Sequence, residues 1–362
     1  MDNIELRWYI ILGVHKLKKE TQRMIKKIKS IRFDKMNQII DIISKNNNKS
    51  KLYIKFDIFR NFLKRGIGYT DYFRGNYINL TEKEKDTFVT AKSFYRVIKS
   101  LNNNEYIGIF EDKLLFNKFF KEYIKRDFIN LKKCTKDEFK EFLNIHPVAF
   151  AKDPLGEGGH GINKIRSSTV INMEGLFEDL KKNGQYLVEE EIIQSKDLNE
   201  INPNCVNSFR IVTLVNNNKS YVIANALRVN QDKSNVIGCT NDLYFSFAEN
   251  GTIDSNVVDD YGNIYTKHPL TGKIFTEVKV NEVKEAFEMC KKAAMEIPEV
   301  RYVGWDVAFT TNGPVIVEGN EYPGYGILQF YKLKNKRTGH LKEIQDIIGK
   351  DYKWTKKGFI NA

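Results

Sequence analysis

The sequence predicts an α+β fold, with helices first and a mainly antiparallel sheet after them. Three observations carry this. Apolar residues recur at helical spacing up to about residue 105. From Pro147 onward the pattern changes to short β-leaning runs separated by turn residues. One long helical stretch, about Asn281 to Ile297, interrupts those runs. Strands and helices do not alternate regularly, so a βαβ array is not expected. At 362 residues, 41% of them hydrophobic, the chain can bury the cores of two or three structural units. No internal repeat and no low-complexity linker divides it.

The N-terminal region, about 1–105, reads as mainly helical. Met36, Ile39, Ile40 and Ile43 form one periodic set, and Phe56, Ile58, Phe59, Phe62 and Leu63 form the next. Thr81 with Glu84 three residues on makes a capping box. Val97, Ile98 and Leu101 close the helix that starts there, before the turn Asn102-Asn103-Asn104. A further helix is expected from about Lys113 to Asn130, with Leu114, Leu115, Phe119, Phe120, Tyr123 and Ile124 on its apolar side. Strands are expected at Val148–Phe150, Gly161–Ile165, Tyr186–Glu190, Phe209–Val215 and Tyr221–Val229.

Composition narrows the function classes. A charged content of 29% argues for a soluble folded chain, and no apolar run approaches the roughly 20 residues of a membrane span. The run Trp8 to Val14 comes after acidic Asp2 and Glu5, which argues against a signal peptide, so a cytoplasmic location is expected. Cys134, Cys205, Cys239 and Cys290 lie far apart without a CxxC, so neither a zinc site nor a disulfide framework is expected. The five histidines are equally scattered. A net charge of +12 admits nucleic acid, an anionic membrane surface or anionic small molecules as partners. Much of the excess lies in Lys16–Lys29, where Leu17, Met24, Ile25 and Ile28 recur at helical spacing. That segment is read as a stripe packed on its own domain, with weak membrane-surface association as the alternative.

Four segments can carry chemistry. The first is Lys152-Asp153-Pro154-Leu155-Gly156-Glu157-Gly158-Gly159-His160-Gly161. It matches GxGxxG, but a strand-like run comes after it instead of a helix, so a dinucleotide fold is not expected. No Lys-Ser/Thr succeeds Gly161, which excludes a Walker loop, and protein-kinase signatures are absent. A glycine flap whose amides close over phosphates remains, with Lys152 beside them, against a plain surface hairpin. The second is Tyr186-Leu187-Val188-Glu189-Glu190-Glu191-Ile192-Ile193. Its edge could offer backbone groups to an adenine, with Asp197 on ribose hydroxyls, or it is a solvated acidic strand end. The third is Arg210 and Arg228, which interrupt apolar runs on neighbouring strands and need anionic partners, either a structural carboxylate or a phosphate.

The fourth is the stretch from Gly304 to Asn320. Asn312-Gly313 is a strong hairpin signal between two β-branched runs. If Thr311 to Gly313 form a three-residue loop with Gly313 left-handed, Asp306 lies opposite Glu318 and Asn320 joins their face. Val307, Phe309, Val315 and Val317 then point to the core. A strict two-residue turn puts Asp306 on the wrong face, unless a bulge corrects it. Two facing carboxylates and a carboxamide suit Mg²⁺, and a polar outer face is the alternative.

The order of these motifs resembles the ATP-grasp superfamily over about residues 70–330, and in particular its sugar-transfer-associated branch. Leu80-Thr81, Asp112-Lys113, the flap, Glu189 to Gln194, Asn207 to Thr213, His268 to Gly272 and the terminal hairpin carry the resemblance. It implies two α+β subdomains clamping ATP: a small one with flap and hinge at 106–200 and a C-terminal one with the Mg²⁺ site at 201–330. A helix or tail at 331–362 completes the chain. The resemblance implies that Lys113 and Lys152 contact ATP phosphates, that Gly156, Gly158, Gly159 and Gly161 form the flap, and that Glu189, Glu190 and Ile192 lie at the adenine and Asp197 at the ribose. It also implies that Arg210 and Arg228 stabilise the transferred phosphoryl group and that Asp306, Glu318 and Asn320 hold Mg²⁺. The expected reaction is ATP-dependent carboxylate–amine ligation through an acyl phosphate, on a sugar acid or similar surface-polysaccharide precursor. Nucleic acid is not an expected partner. A phosphotransferase and a basic non-catalytic module are the alternatives. The chain departs from the branch at Ser195, where a histidine tends to come after Gln194, and over 232–253, which fits the branch's glycine-rich region loosely.

Overall fold

A computed structural model describes residues 32–156, 161–233, 242–349 and 351–361. The chain divides into two compact units, Met1–Phe73 and Arg74–Ala362. The basic segment Lys16–Lys29, Gly158, Gly159 and Cys239 lie outside the described residues.

In the first unit, helices Phe33–Asn47 and Lys51–Arg65 pack together. Asn48 takes a left-handed turn between them, and the Ser50 hydroxyl caps the second by accepting from the Tyr53 amide. Ile39, Ile40, Ile43, Ile54 and Ile58 are buried. Buried Asp57 accepts a hydrogen bond from the Tyr72 hydroxyl at 2.5 Å. The second helix departs from expectation: Phe56, Phe59, Phe62 and Leu63 are exposed, because Ile54, Asp57, Ile58 and Asn61 form its buried face.

In the second unit the Thr81–Glu84 capping box forms, but its helix ends at Lys85. A second cap, Thr90 with Ser93, starts helix Ala91–Leu101, so the single helix expected here is two. The turn residue Asn102 is buried instead of looped out. Its amide nitrogen donates to the Tyr302 carbonyl at 2.9 Å and its oxygen accepts from the Tyr302 amide at 2.8 Å. The helix expected over 113–130 is also broken, into Lys113–Phe119, Lys121–Ile124 and a strand. Lys125 is left-handed, which stops the second piece. Phe116, Phe120 and Ile124 are its buried residues, and Leu115 and Phe119 are exposed. Helices Lys136–Ile145, Met173–Lys182 and Lys196–Ile201 were not expected among the strands.

The strands are β1 (Phe128–Asn130), β2 (Val148–Lys152), β3 (Asn163–Arg166), β4 (Leu187–Glu190), β5 (Ser208–Asn216), β6 (Lys219–Asn230), β7 (Asp242–Phe245), β8 (Val257–Val258), β9 (Ile264–Tyr265), β10 (Tyr302–Thr310), β11 (Gly313–Asn320), β12 (Tyr352–Thr355) and β13 (Gly358–Asn361). They form a four-stranded sheet ordered β1-β4-β2-β3, a seven-stranded sheet ordered β11-β10-β5-β6-β7-β8-β9, and a β12-β13 hairpin. All named pairings are antiparallel. This is the α+β class that the sequence predicts.

Each larger sheet packs one face against helices as its main core. Ala149, Ala151, Ile165 and Val188 meet Phe139, Phe142 and Phe177 of two helices. Ile211, Val303, Trp305, Val307 and Phe309 meet helix Val283–Glu296 and the rings of Phe116 and Phe120. Strand alternation sends the intervening residues to the opposite faces, where on the larger sheet Val212, Leu214 and Tyr302 meet Phe94, Val97, Leu341 and Ile344 in a second core and the polar groups gather beside it.

Candidate functional site

The hairpin β10–β11 sets the geometry. Near the turn Thr310 pairs with Gly313, which leaves a two-residue loop, Thr311-Asn312. Gly313 has φ +92°. Without correction this register would set Val317, not Glu318, opposite Asp306. A bulge at Val317 inserts one residue, and beyond it Asp306 pairs with Glu318 and Gly304 with Asn320. Asp306, Glu318 and Asn320 therefore share a face by the bulge, not by the three-residue loop. The same shift corrects the core assignment. Ile316 pairs with Val307 and is buried in the core cluster, and Val315 pairs with Ala308 on the polar side.

The row extends onto β5, where Arg210 pairs with Asp306 across the ladder. Its guanidinium donates to both carboxylate oxygens, Nε to Oδ1 at 2.6 Å and Nη2 to Oδ2 at 2.9 Å. Burial pushes the Glu318 carboxyl above its ordinary range, and the charge of Asp306 adds to the shift. Lys113 acts in the opposite direction. Gly304 makes room for this row. A Cβ there would lie 2.4 Å from Pro323 Cβ and 3.1 Å from Arg210 Nη1. Gly304→Ala is therefore expected to cost about 1–3 kcal/mol by overpacking, read by urea denaturation.

Arg228 stands on the same face, opposite Ser208, but donates through Nε to buried Asp242 Oδ2 at 2.5 Å. Both sequence-predicted arginines thus pair with carboxylates of this chain, each with a different one.

The flap is anchored at both described ends. Lys113 Nζ donates to the Gly156 carbonyl at 2.5 Å, and Gln185 Nε2 donates to the Gly161 carbonyl at 2.6 Å. Lys152 lies at the end of β2 and meets Glu189 Oε2 at 2.5 Å. Glu189 is buried and also accepts from Asn117 Nδ2 at 2.6 Å and Arg126 Nη2 at 2.7 Å. Burial opposes its ionisation, but Arg126 and Lys152 outweigh that and hold the carboxyl well below its usual range.

Arg126 was missed in the sequence, and it joins the two halves of the site. The same guanidinium donates Nη1 to the Ile316 carbonyl at 2.8 Å and Nη2 to the Val317 carbonyl at 2.9 Å. It therefore ties the Val317 bulge to Glu189. The available signal was weak: an arginine two residues before the β-leaning Phe128-Ile129 pair, with Glu122 and Asp127 close enough in sequence to suggest a local partner instead.

Glu189 and Glu190 do not act together, because successive strand residues face opposite sides. Glu190 Oε2 instead lies 3.0 Å from His146 Nδ1, and His146 Nε2 lies 3.2 Å from Asp127. The scattered histidine thus meets two acids, with ligand atoms within 4.8 Å of one another. Each ring nitrogen already has a carboxylate partner. Ile192 is half-buried, and Asp197 is exposed in the first turn of helix Lys196–Ile201. Gln194 bridges to Thr310, and the Ser195 amide donates to the Phe309 carbonyl at 2.8 Å, which joins the hinge to β10. His268 is buried with Nε2 at 2.9 Å from the Asn230 carbonyl, and Nδ1 accepts from the Thr271 amide. It is therefore the neutral tautomer protonated at Nε2, with burial lowering its pKa.

The profile of the family described as "Sugar-transfer associated ATP-grasp" matches residues 93–345. No curated protein matches the chain. Among solved structures, the chain is similar to the ATP-grasp ligase PsnB complexed with a minimal precursor, at 12% identity and TM-score 0.38, covering 64% of this chain and 57% of that one. It is similar to D-alanyl-alanine synthetase A from Vibrio cholerae, at 12% identity and TM-score 0.39, covering 65% and 63%. It is also similar to biotin carboxylase from Campylobacter jejuni, at 11% identity and TM-score 0.41, covering 60% and 42%. The chain spans less than two thirds of each of these structures. With the family profile covering most of the chain, and the flap, hinge and hairpin in the order described, the chain belongs to the sugar-transfer associated ATP-grasp family.

Proposed function

We propose that the chain is an ATP-dependent carboxylate–amine ligase that forms an amide through an acyl phosphate. Its substrate class is a sugar acid or a similar precursor of cell-surface polysaccharide, and its location is cytoplasmic. The observation that carries this reading is the row Arg210, Asp306, Glu318 and Asn320 on one sheet face. The donor set there is hard oxygen, and burial together with the facing Asp306 charge raises the Glu318 carboxyl, a strain that a divalent cation would relieve. Arg210 occupies both oxygens of Asp306, so Glu318 and Asn320 would be the more available ligands for a cation and Asp306 would share its charge with the guanidinium. When bound there, Mg²⁺ would supply positive charge against the ATP phosphates.

The remaining roles are those that the family resemblance implies. Lys113 and Lys152, now on a flap carbonyl and on Glu189, turn to phosphate oxygens. Gly156, Gly158, Gly159 and Gly161 close over them. The backbone of Glu189, Glu190 and Ile192 faces adenine, with Asp197 on the ribose. Arg210 and Arg228 hold the transferred phosphoryl group, each with a carboxylate that fixes its orientation beforehand.

The test is an ADP-release screen with Mg²⁺ that pairs uronic acids with amino acids, run beside Asp306→Asn. The expected result is ADP release that needs both co-substrates and falls at least about a hundredfold in the variant. Release unchanged in Asp306→Asn overturns the metal assignment. A phosphorylated product without condensation identifies a phosphotransferase, and no nucleotide binding identifies a non-catalytic basic module.

A further inference from the structure

We infer that helix Lys51–Arg65 is a docking surface for an anionic lipid bilayer. Leu52, Phe56, Phe59 and Leu63 are 78%, 64%, 57% and 64% exposed. Their spacing of four, three and four residues lines them along one side of the helix at 3.6 residues per turn. The opposite side, Ile54, Asp57, Ile58 and Asn61, is buried in the first unit. Tyr53 and Phe62 widen the exposed face to six large apolar side chains. Isolated exposed hydrophobes are ordinary, but a continuous stripe of this size marks an interaction surface.

The charges select the occupant. Lys55 borders one edge of the stripe and Arg60 the other, with Lys51 and Lys64 behind them, and all four are exposed. Lys51 meets Asp41 at 2.7 Å, an exposed contact of little strength, and Arg60 reaches from the edge of the stripe to buried Asp57 at 3.2 Å. The one acid of the helix, Asp57, is on the buried side and accepts from Tyr72. A second copy of the helix would set basic edges against basic edges. Residues 1–31 are also like-charged, with eight basic and three acidic residues. Anionic headgroups complement both edges, while the apolar stripe enters the boundary between headgroups and acyl chains and the long basic side chains reach back to phosphate.

The experiment is co-sedimentation of the full chain with phosphatidylcholine vesicles, with and without phosphatidylglycerol. Binding is expected to the anionic vesicles and to weaken with salt. Leu52→Glu/Phe56→Glu/Phe59→Glu/Leu63→Glu abolishes binding and leaves the melting temperature unchanged. Lys51→Gln/Lys55→Gln/Lys64→Gln keeps the stripe and weakens binding on the order of a hundredfold, from about fivefold per charge. Failure of the wild type to sediment overturns the inference. So does binding that survives the glutamate variant. A wild type that stays in solution while the glutamate variant melts early assigns the stripe to an intramolecular contact. A concentration-dependent dimer lost in that variant assigns it to a second copy.

Discussion

Replacing Arg126 with Met is expected to lower stability by about 3–5 kcal/mol, the cost of leaving a buried charge with too few partners. Glu189 keeps Lys152 and Asn117, but the group that contributes most against its desolvation is gone. The carbonyls of Ile316 and Val317 lose their donor in the same substitution. Denaturant unfolding monitored by circular dichroism checks it. The double variant Arg126→Met/Glu189→Leu is expected to recover most of the loss, because an apolar pair replaces an ionic one of similar volume. It is not expected to recover nucleotide binding, since Lys152 loses the carboxylate that orients it. Recovery of both would reduce Arg126 to a packing role. The pH dependence derives from the lowered Glu189 pKa. Its contribution is fully present above the unfolded carboxyl pKa of about 4.3 and is lost as pH falls through the folded value. The stability gap between wild type and Glu189→Gln should therefore narrow in acid and stay constant near neutrality.

Glu318→Gln is expected to separate stability from function. The folded pKa of Glu318 lies above its ordinary value, so its favourable contribution exists at low pH and is lost as pH rises through that folded value. At neutral pH the ionised carboxylate works against the fold, and the amide should leave the chain equally or more stable. Activity should fall at least about a hundredfold, since the cation loses a charged ligand in a buried site. Thermal shift reads the stability and the Mg²⁺-dependent binding, and ADP release reads the activity. Wild type gains about 2.7 kcal/mol with MgATP at a hundred times its dissociation constant, and Glu318→Gln loses the Mg²⁺-dependent part of that gain. A variant that melts early without nucleotide would show that Glu318 is instead part of a structural network. Asp306→Asn is the less clean counterpart, because it also strips half-buried Arg210 of its bidentate partner.

Much of the site was legible because its parts are local. Asn312-Gly313 announces the hairpin, and Asp306, Glu318 and Asn320 carry the oxygen atoms a hard cation prefers. The glycines between Lys152 and Ile162 lead into a β-leaning run, Ile162 to Ile165, where a dinucleotide fold needs a helix. Other expectations failed where a distant partner intervened. One helix was read from Thr81 to Leu101, but Thr90 restarts it and the Val89 amide donates to Gln329 Oε1, 240 residues away. Phe56, Phe59 and Leu63 have helical spacing, yet periodicity does not say which of two apolar faces is covered. On Lys51–Arg65 the face with Ile54 and Ile58 is the covered one.

The sequence by itself determined the residue types, their chain order and the local devices: capping boxes, turns, strand alternation and the family they resemble. These depend on neighbours within a few residues, where hydrogen bonds and steric limits act without help from the rest of the chain. Only the tertiary structure decided the Val317 bulge that turns Glu318 toward Asp306, the Arg126 bridge and the carboxylate partner of each arginine. Register is a property of two strands together, and a buried charge is tolerable only beside its partner. Arg126 and the Ile316 carbonyl it holds are 190 residues apart. Their meeting results from packing the two sheets, which no local pattern encodes.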